Sequence, residues 1–188
     1  MGERWPGVYG EEDLRKHIHE LSRREFLEES FYEWRSSANL HPPDDLCQGD
    51  VVRIHADMPL IDADGEPAAE EHESGFWMVL GNSCDFERRL DDVKHTQLVP
   101  VERRMDDLNA VELTTLRAYT QFRRFYLPDW RVGVPPEVFV AEFSMPVTLH
   151  KGAFPQHVHL EARLSRAAWM LLNACLVRFV ARSDGRND

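Results

Sequence analysis

Apolar positions along this chain change their spacing several times. Leu14, Ile18, Leu21 and the Phe26-Leu27 pair recur at helical intervals with Arg, Lys and Glu between them, and Phe31, Tyr32 and Trp34 prolong that face. The pattern predicts one or two amphipathic helices over Glu11 to Trp34. Pro42-Pro43 cannot continue a helix, so Ser36 to Pro43 marks a boundary. Short apolar runs follow. Gln48-Gly49-Asp50 reads as a turn and Val51 to Ile54 as a strand. Gly75 to Leu80 is rich in aromatic and branched side chains and is closed by Gly81-Asn82-Ser83, which predicts a strand buried on both faces. Thr96 to Val101 predicts a third strand.

The second half alternates again. Asp107-Leu108-Asn109 can cap a helix running to about Gln121, with Val111, Leu113, Leu116 and Tyr119 apolar. Arg123 to Leu127 predicts a strand stopped by Pro128, and Val138 to Phe143 and Val147 to His150 predict two more. A last helix starts at Leu164 or Ser165, with Ser165 as N-cap and an apolar stripe of Trp169, Leu172, Leu176, Phe179 and Val180. Trp77 and Trp169 are expected in the core. Several short strands with one mid-chain and one terminal helix fit an α+β fold, a small, strongly bent β-barrel with helices packed outside. The expected division is an N-terminal helical arm (1–45), a barrel domain with its C-terminal helix (46–182) and a frayed tail (183–188).

Charge sharpens this picture. The 188 residues carry a formal charge of −11, which disfavours nucleic-acid binding through bulk electrostatics. Seven acids and no Lys or Arg lie between Asp57 and Glu73, with the hairpin dipeptide Asp64-Gly65 among them, so a long, mobile excursion is expected there. From Arg103 to the tail, bases outnumber acids. No window approaches the ~18 apolar residues of a membrane span, and the start of the chain has no apolar signal centre, which points to a cytoplasmic protein. Cys47, Cys84 and Cys175 form neither a disulfide framework nor a CxxC pair.

Cys84-Asp85, just past a strand end, is the sharpest chemical candidate. A thiol there, with His95, His150, His157 or His159 as base, could act as a nucleophile. The plainer alternative is a small side chain filling a rim, with Asp85 accepting from its own turn. Gln156-His157-Val158-His159 sets two imidazoles on one face at metal-ligand spacing, with no third ligand to complete a site. Arg123-Arg124 beside Phe125-Tyr126 mixes bases and aromatics as single-strand binders do, and equally fits a half-buried strand.

Gly49-Asp50-Val51-Val52, a long loop, Met78-Val79-Leu80-Gly81-Asn82, then Leu98-Val99-Pro100-Val101 and a closing helix resemble, in that order, the MazF/PemK family of bacterial toxin endoribonucleases. The resemblance spans roughly Cys47 to Arg182 on some twenty residues. The phrase Val79 to Asp85 is closer still to a set of uncharacterised bacterial proteins sharing V-L-S-x-x-C-D. The resemblance implies a MazF/PemK-like barrel, a homodimer and, for an active member, a metal-independent endoribonuclease. Active members carry Arg-Pro before the second strand and Thr or Ser after the third; here those places read Ser74-Gly75 and Glu102. Three readings follow. The favoured one is a non-catalytic accessory or regulatory protein of a toxin–antitoxin or phage-defence system, with a protein partner and no cofactor. The second is an endoribonuclease or RNA-binding protein with rearranged groups, using Cys84, Asp85 and His95 for catalysis and Arg88, Arg103, Arg123 and Arg124 for RNA. The third is a Cys84-dependent hydrolase.

Overall fold

A computed structural model describes residues 11–23, 27, 31–36, 43, 45–54, 58–61, 67–70, 75–104, 108–131, 134–153 and 157–180. In chain order the elements are α1 (Glu11–Ser22), β1 (Tyr32–Arg35), β2 (Val51–Ile54), β3 (Met58–Ile61), β4 (Pro67–Glu70), β5 (Gly75–Val79) and α2 (Ser83–Glu87). There follow β6 (His95–Arg104), α3 (Ala110–Arg117), β7 (Arg124–Leu127), β8 (Val138–Glu142), β9 (Val147–His150), β10 (Val158–Leu164) and α4 (Arg166–Val180).

The fold is α+β. Eight strands make one antiparallel sheet in the order β1-β10-β2-β5-β6-β8-β7, with β9 beside the first half of β6, and β3–β4 forms a separate hairpin. The ten-residue β6 is shared end to end: His95–Leu98 pairs with β9, and Val101–Arg104 pairs with β8. Among the described residues β1 and β7 remain unpaired edges, so the ladder is not closed into a barrel. The sheet nevertheless curls until its edges meet through side chains: Tyr32 donates its hydroxyl to the Pro128 carbonyl at 2.7 Å, and the Phe31 ring lies 6.3 Å from that of Phe125.

Burial on both sides explains the continuous apolar runs. Val51, Met78 and Val99 point into the main core, where Trp130, Phe139, Phe125 and Leu127 meet α4. Val52, Val79 and Leu98, their chain neighbours, point into a smaller core with Phe86, Val147 and Val158 on the opposite face. A strand that alternates between two dry faces must be apolar at every position. Helix α4 lays Ala168, Leu171, Leu172 and Cys175 on the main core, Ser165 accepts from the Ala168 amide at 3.3 Å as the expected N-cap, and α1 packs along α4 through Leu14, Ile18 and Leu21.

Three expectations are corrected. Tyr32 to Arg35 is a strand rather than helix: Tyr32 and Trp34 are buried and Glu33 exposed, a period of two, and pairing with β10 suits the aromatic residues. Trp169 is 40% exposed, because Ala168 and Leu172 occupy the inward positions and the next residue is turned away from them. Helix α3 stops at Arg117 instead of reaching Gln121, for a reason given below. Cys84 and Asp85, just past the end of β5 as expected, stand in the short helix α2. The acidic excursion contains the β3–β4 hairpin, with Ile61 opposite Pro67; the expected turn at Asp64-Gly65, residues 37–42 of the expected boundary and the 183–188 tail lie outside the described residues. No helix among the described residues is long and apolar enough to cross a membrane.

Candidate functional site

The phrases Gly49-Asp50 and Val79 to Cys84 meet in space. Gly49 has φ +90, a conformation that favours glycine, and an added Cβ would come within 2.8 Å of Leu164 Cδ1. Its amide donates to the Val79 carbonyl at 2.8 Å, and Val79 donates back to the Asp50 carbonyl at 2.9 Å. The Gln48 amide donates to Ser83 Oγ at 3.0 Å, Gln48 Nε2 donates to the Leu80 carbonyl, and Trp169 Nε1 donates to Gln48 Oε1. Asp50 is fully buried. Its carboxylate accepts from the Cys47 amide at 2.8 Å and from Arg163 Nε and Nη2 at 3.0 and 2.8 Å, while Arg163 also donates to the Asp45 carbonyl. Burial pushes the Asp50 carboxyl up, and the Arg163 and Cys47 donors only partly reverse this. Gln48, Asp50 and Ser83 are therefore each committed to a partner inside the fold. Cys47, half-buried beside Ser83 and Arg163, has its thiol pushed up by burial, which makes it a poor nucleophile.

The first half of the sequence-predicted site lies at the start of β6. Asn82 caps α2 by accepting from the Cys84 amide at 3.1 Å, and Cys84 is exposed. Its thiol makes no hydrogen bond to an imidazole among the described residues. The Asp85 side chain lies outside the described part of the molecule. His95 faces His150 across the β6–β9 pair with ring centroids 5.2 Å apart, and His150 Nδ1 accepts from the Gly152 amide at 3.2 Å. Lys151 Nζ donates to the Arg88 carbonyl at 3.2 Å, which brings the α2 end to the same rim. Cys84, Arg88 and His95 thus share one end of the sheet without forming a nucleophile–base pair. His157 and His159 are both exposed, near the start of β10, and no group of three potential metal ligands exists among the described residues.

The second half lies elsewhere. Eight steps of extended strand separate His95 from Arg103, about 26 Å at roughly 3.3 Å per residue. At this far end Arg103 pairs with Glu137, Arg104 with Glu102 at 3.0 Å, and Arg124 Nε with Glu142 at 3.0 Å. Arg131 bridges Glu137 and Asp129, whose carboxylate also accepts from the Arg131 and Glu137 amides. Burial opposes the charge on Asp129, but the Arg131 contacts and these amides together hold its carboxyl below the usual range. Phe125, read as a candidate stacking ring, is fully buried, and Tyr126 is half-buried.

Glu102, Arg104, Glu142 and Arg124 share the outer face of β6–β8–β7, by strand alternation and the Arg124–Glu142 register. They floor an open cleft of about 720 Å³, walled by Phe122–Arg123 on one side and Ser144–Met145 on the other. Of the three arginines lining it, Arg123 alone makes no ion pair among the described residues; its guanidinium lies over the Phe122 ring, 5.4 Å from the centroid. Sequence reasoning missed Glu142, Asp129 and Trp130. A signal existed for the second: Pro128-Asp129 is a turn dipeptide, and Asp129 accepts from the amide two residues on. Protein-family models offer no match to this chain, and no curated protein matches its sequence.

Proposed function

We propose that this chain is a non-catalytic binding module of MazF/PemK-like descent, acting by protein contact as an accessory or regulatory component of a bacterial toxin–antitoxin or defence system. One observation carries the reading. Cys84, Arg88 and His95 share one end of β6 without a nucleophile–base pair among the described residues, while Arg103, Arg123 and Arg124 stand at the other end, where Arg103 and Arg124 are each paired with a glutamate. Phosphodiester cleavage requires a base, a nucleophile and a cation within one substrate's reach. The candidate catalytic groups and three of the four candidate RNA-binding arginines are instead about 26 Å apart along β6.

The contact surface in this reading is α4. Trp169, Met170, Val177 and Val180 are exposed large apolar side chains on a helix that contains no Asp or Glu, in a chain of net charge −11. Such a face suits a partner protein that presents apolar side chains flanked by acids. The test is induced expression in a bacterial host with growth and total-RNA integrity as readouts, beside the Cys84→Ala, Asp85→Ala double variant. Intact RNA and normal growth are expected from both. RNA fragmentation lost in the double variant would replace this reading with that of an endoribonuclease using relocated groups.

A further inference from the structure

We propose that the cleft over the outer face of β6–β8–β7 binds a small anion carrying a flat ring, of nucleoside-monophosphate chemistry. Its volume, about 720 Å³, lies within the range of small-molecule sites, roughly 300–1,000 Å³. Arg123 is exposed and free of any acid among the described residues, and Phe122 beside it is 39% exposed. A planar guanidinium backed by an aromatic ring offers a stacking surface to a base, and its N–H groups offer charge to a phosphate. Arg104 and Arg124 each spend one nitrogen on a glutamate, so the remaining donors of each fork stay available to oxygen acceptors in the cleft. With three arginines against Glu102 and Glu142, the cleft carries one excess positive charge within an acidic protein.

The backbone supplies a second, independent observation. Helix α3 ends in a Schellman turn: the Thr120 amide donates to the Thr115 carbonyl at 3.1 Å, and the Tyr119 amide to the Leu116 carbonyl at 2.9 Å. The left-handed position of that turn ordinarily holds glycine. Here it holds Tyr119, at φ 54, which is why α3 stops early. A side chain in that conformation costs on the order of 1–2 kcal/mol. Burial of the Tyr119 ring, 5.1 Å from that of Phe125, offsets the strain, and its hydroxyl donates to the Tyr126 carbonyl at 3.2 Å. The strained residue immediately precedes the Thr120–Arg124 wall. That wall is further pinned by Arg178 Nη2 donating to the Gln121 carbonyl at 3.2 Å and by the Phe143 amide donating to the Arg123 carbonyl at 2.8 Å. The turn that presents Phe122 and Arg123 is therefore rigid, which lowers the ordering cost of binding.

Isothermal titration calorimetry of the full chain with AMP, GMP, CMP and UMP, with adenosine and with inorganic phosphate, tests this site independently of α4. At least one nucleotide is expected to bind, with adenosine and phosphate at least about tenfold weaker, because ring and anion contribute together. Arg123→Ala is expected to weaken binding by about tenfold or more and Arg123→Lys by less, with the thermal midpoint unchanged for either exposed substitution. Absence of nucleotide binding at about 5 mM, or binding unaltered in Arg123→Ala, would overturn the proposal. A single-stranded ten-nucleotide RNA binding far more tightly than any mononucleotide, with a steep salt dependence, would overturn it in favour of an RNA track.

Discussion

Asp50→Asn is the most informative single substitution. It is nearly isosteric, so it leaves packing in place and removes only the charge. In the native protein the carboxylate holds two nitrogens of Arg163 at 3.0 and 2.8 Å and the Cys47 amide at 2.8 Å, all at a fully buried position. The amide can keep one of these contacts through its oxygen but must turn an N–H₂ group toward a donor elsewhere. Arg163, whose side chain is only 14% exposed, then keeps its charge without the carboxylate that was hydrogen-bonded to it. Removing one partner of a buried pair costs about 3–5 kcal/mol, and Arg163's remaining bond to the Asp45 carbonyl places this case at about 3. For a chain of this length that corresponds to a fall of roughly 6–12 °C in thermal midpoint. The assay is urea unfolding of wild type, Asp50→Asn, Arg163→Met and the double variant. The cycle should show the double variant less destabilised than the sum of the singles, because removing both charges removes the stranded one. A cost below about 1 kcal/mol for Asp50→Asn, or strict additivity, would refute the argument that Gly49-Asp50 is a structural clasp.

Three further outcomes follow from the same geometry. Gly81→Ala places a Cβ 1.9 Å from the buried Thr96 Oγ1, so it should destabilise by about 2 kcal/mol or more, and the Gly81→Ala, Thr96→Ala pair should recover part of that loss in thermal melts. Asp129 has its folded pKa held below the unfolded one, so its stabilisation is present above the unfolded value, near pH 3.9, and is lost as pH falls through the folded value; Asp129→Asn should flatten that part of the acid limb of stability against pH. Iodoacetamide should label Cys84 first, since it alone of the three cysteines is exposed, whereas Cys175, buried and with its thiol pushed up to about 12 by that burial, should label only on unfolding; early modification at Cys175 by mass spectrometry would contradict the packing of α4.

Much of the architecture was legible because its strands are buried on both faces. Gly75 to Val79 announces itself as an unbroken apolar run and Val51 to Ile54 as one broken only by Arg53, and Asn109 and Ser165 cap their helices as their side chains predict. Tyr32 to Arg35 was illegible for the opposite reason. Four residues with two buried aromatics satisfy a helical stripe as well as a strand, and the pairing with β10, more than a hundred residues away, decides between them. The end of α3 was hidden by chemistry: a tyrosine in a glycine's place carries no stop signal in the sequence. The candidate site was harder still. Arg88, Arg103 and Arg124 are each recognisable as bases, but only the length of β6 shows that Arg88 stands apart from the other two, and only the register of β7 against β8 shows Glu142 facing Arg124.

Cys84 stands in a phrase that packing constrains at most of its positions. Its neighbours are tied to the fold: Val79 and Leu80 by the ladder, Gly81 by its closeness to Thr96, Asn82 by capping α2, and Ser83 by the Gln48 amide. The partner phrase contributes Gly49, which only a glycine suits, and Asp50, which is saturated by Arg163 and Cys47. Substitution at almost any of these positions would disturb a turn before it disturbed a reaction. A sequence pattern this constrained by packing carries information about the fold, and the information about ligands has to be sought where packing leaves side chains unclaimed. Arg123, exposed beside the Phe122 ring and free of any acid among the described residues, is such a place.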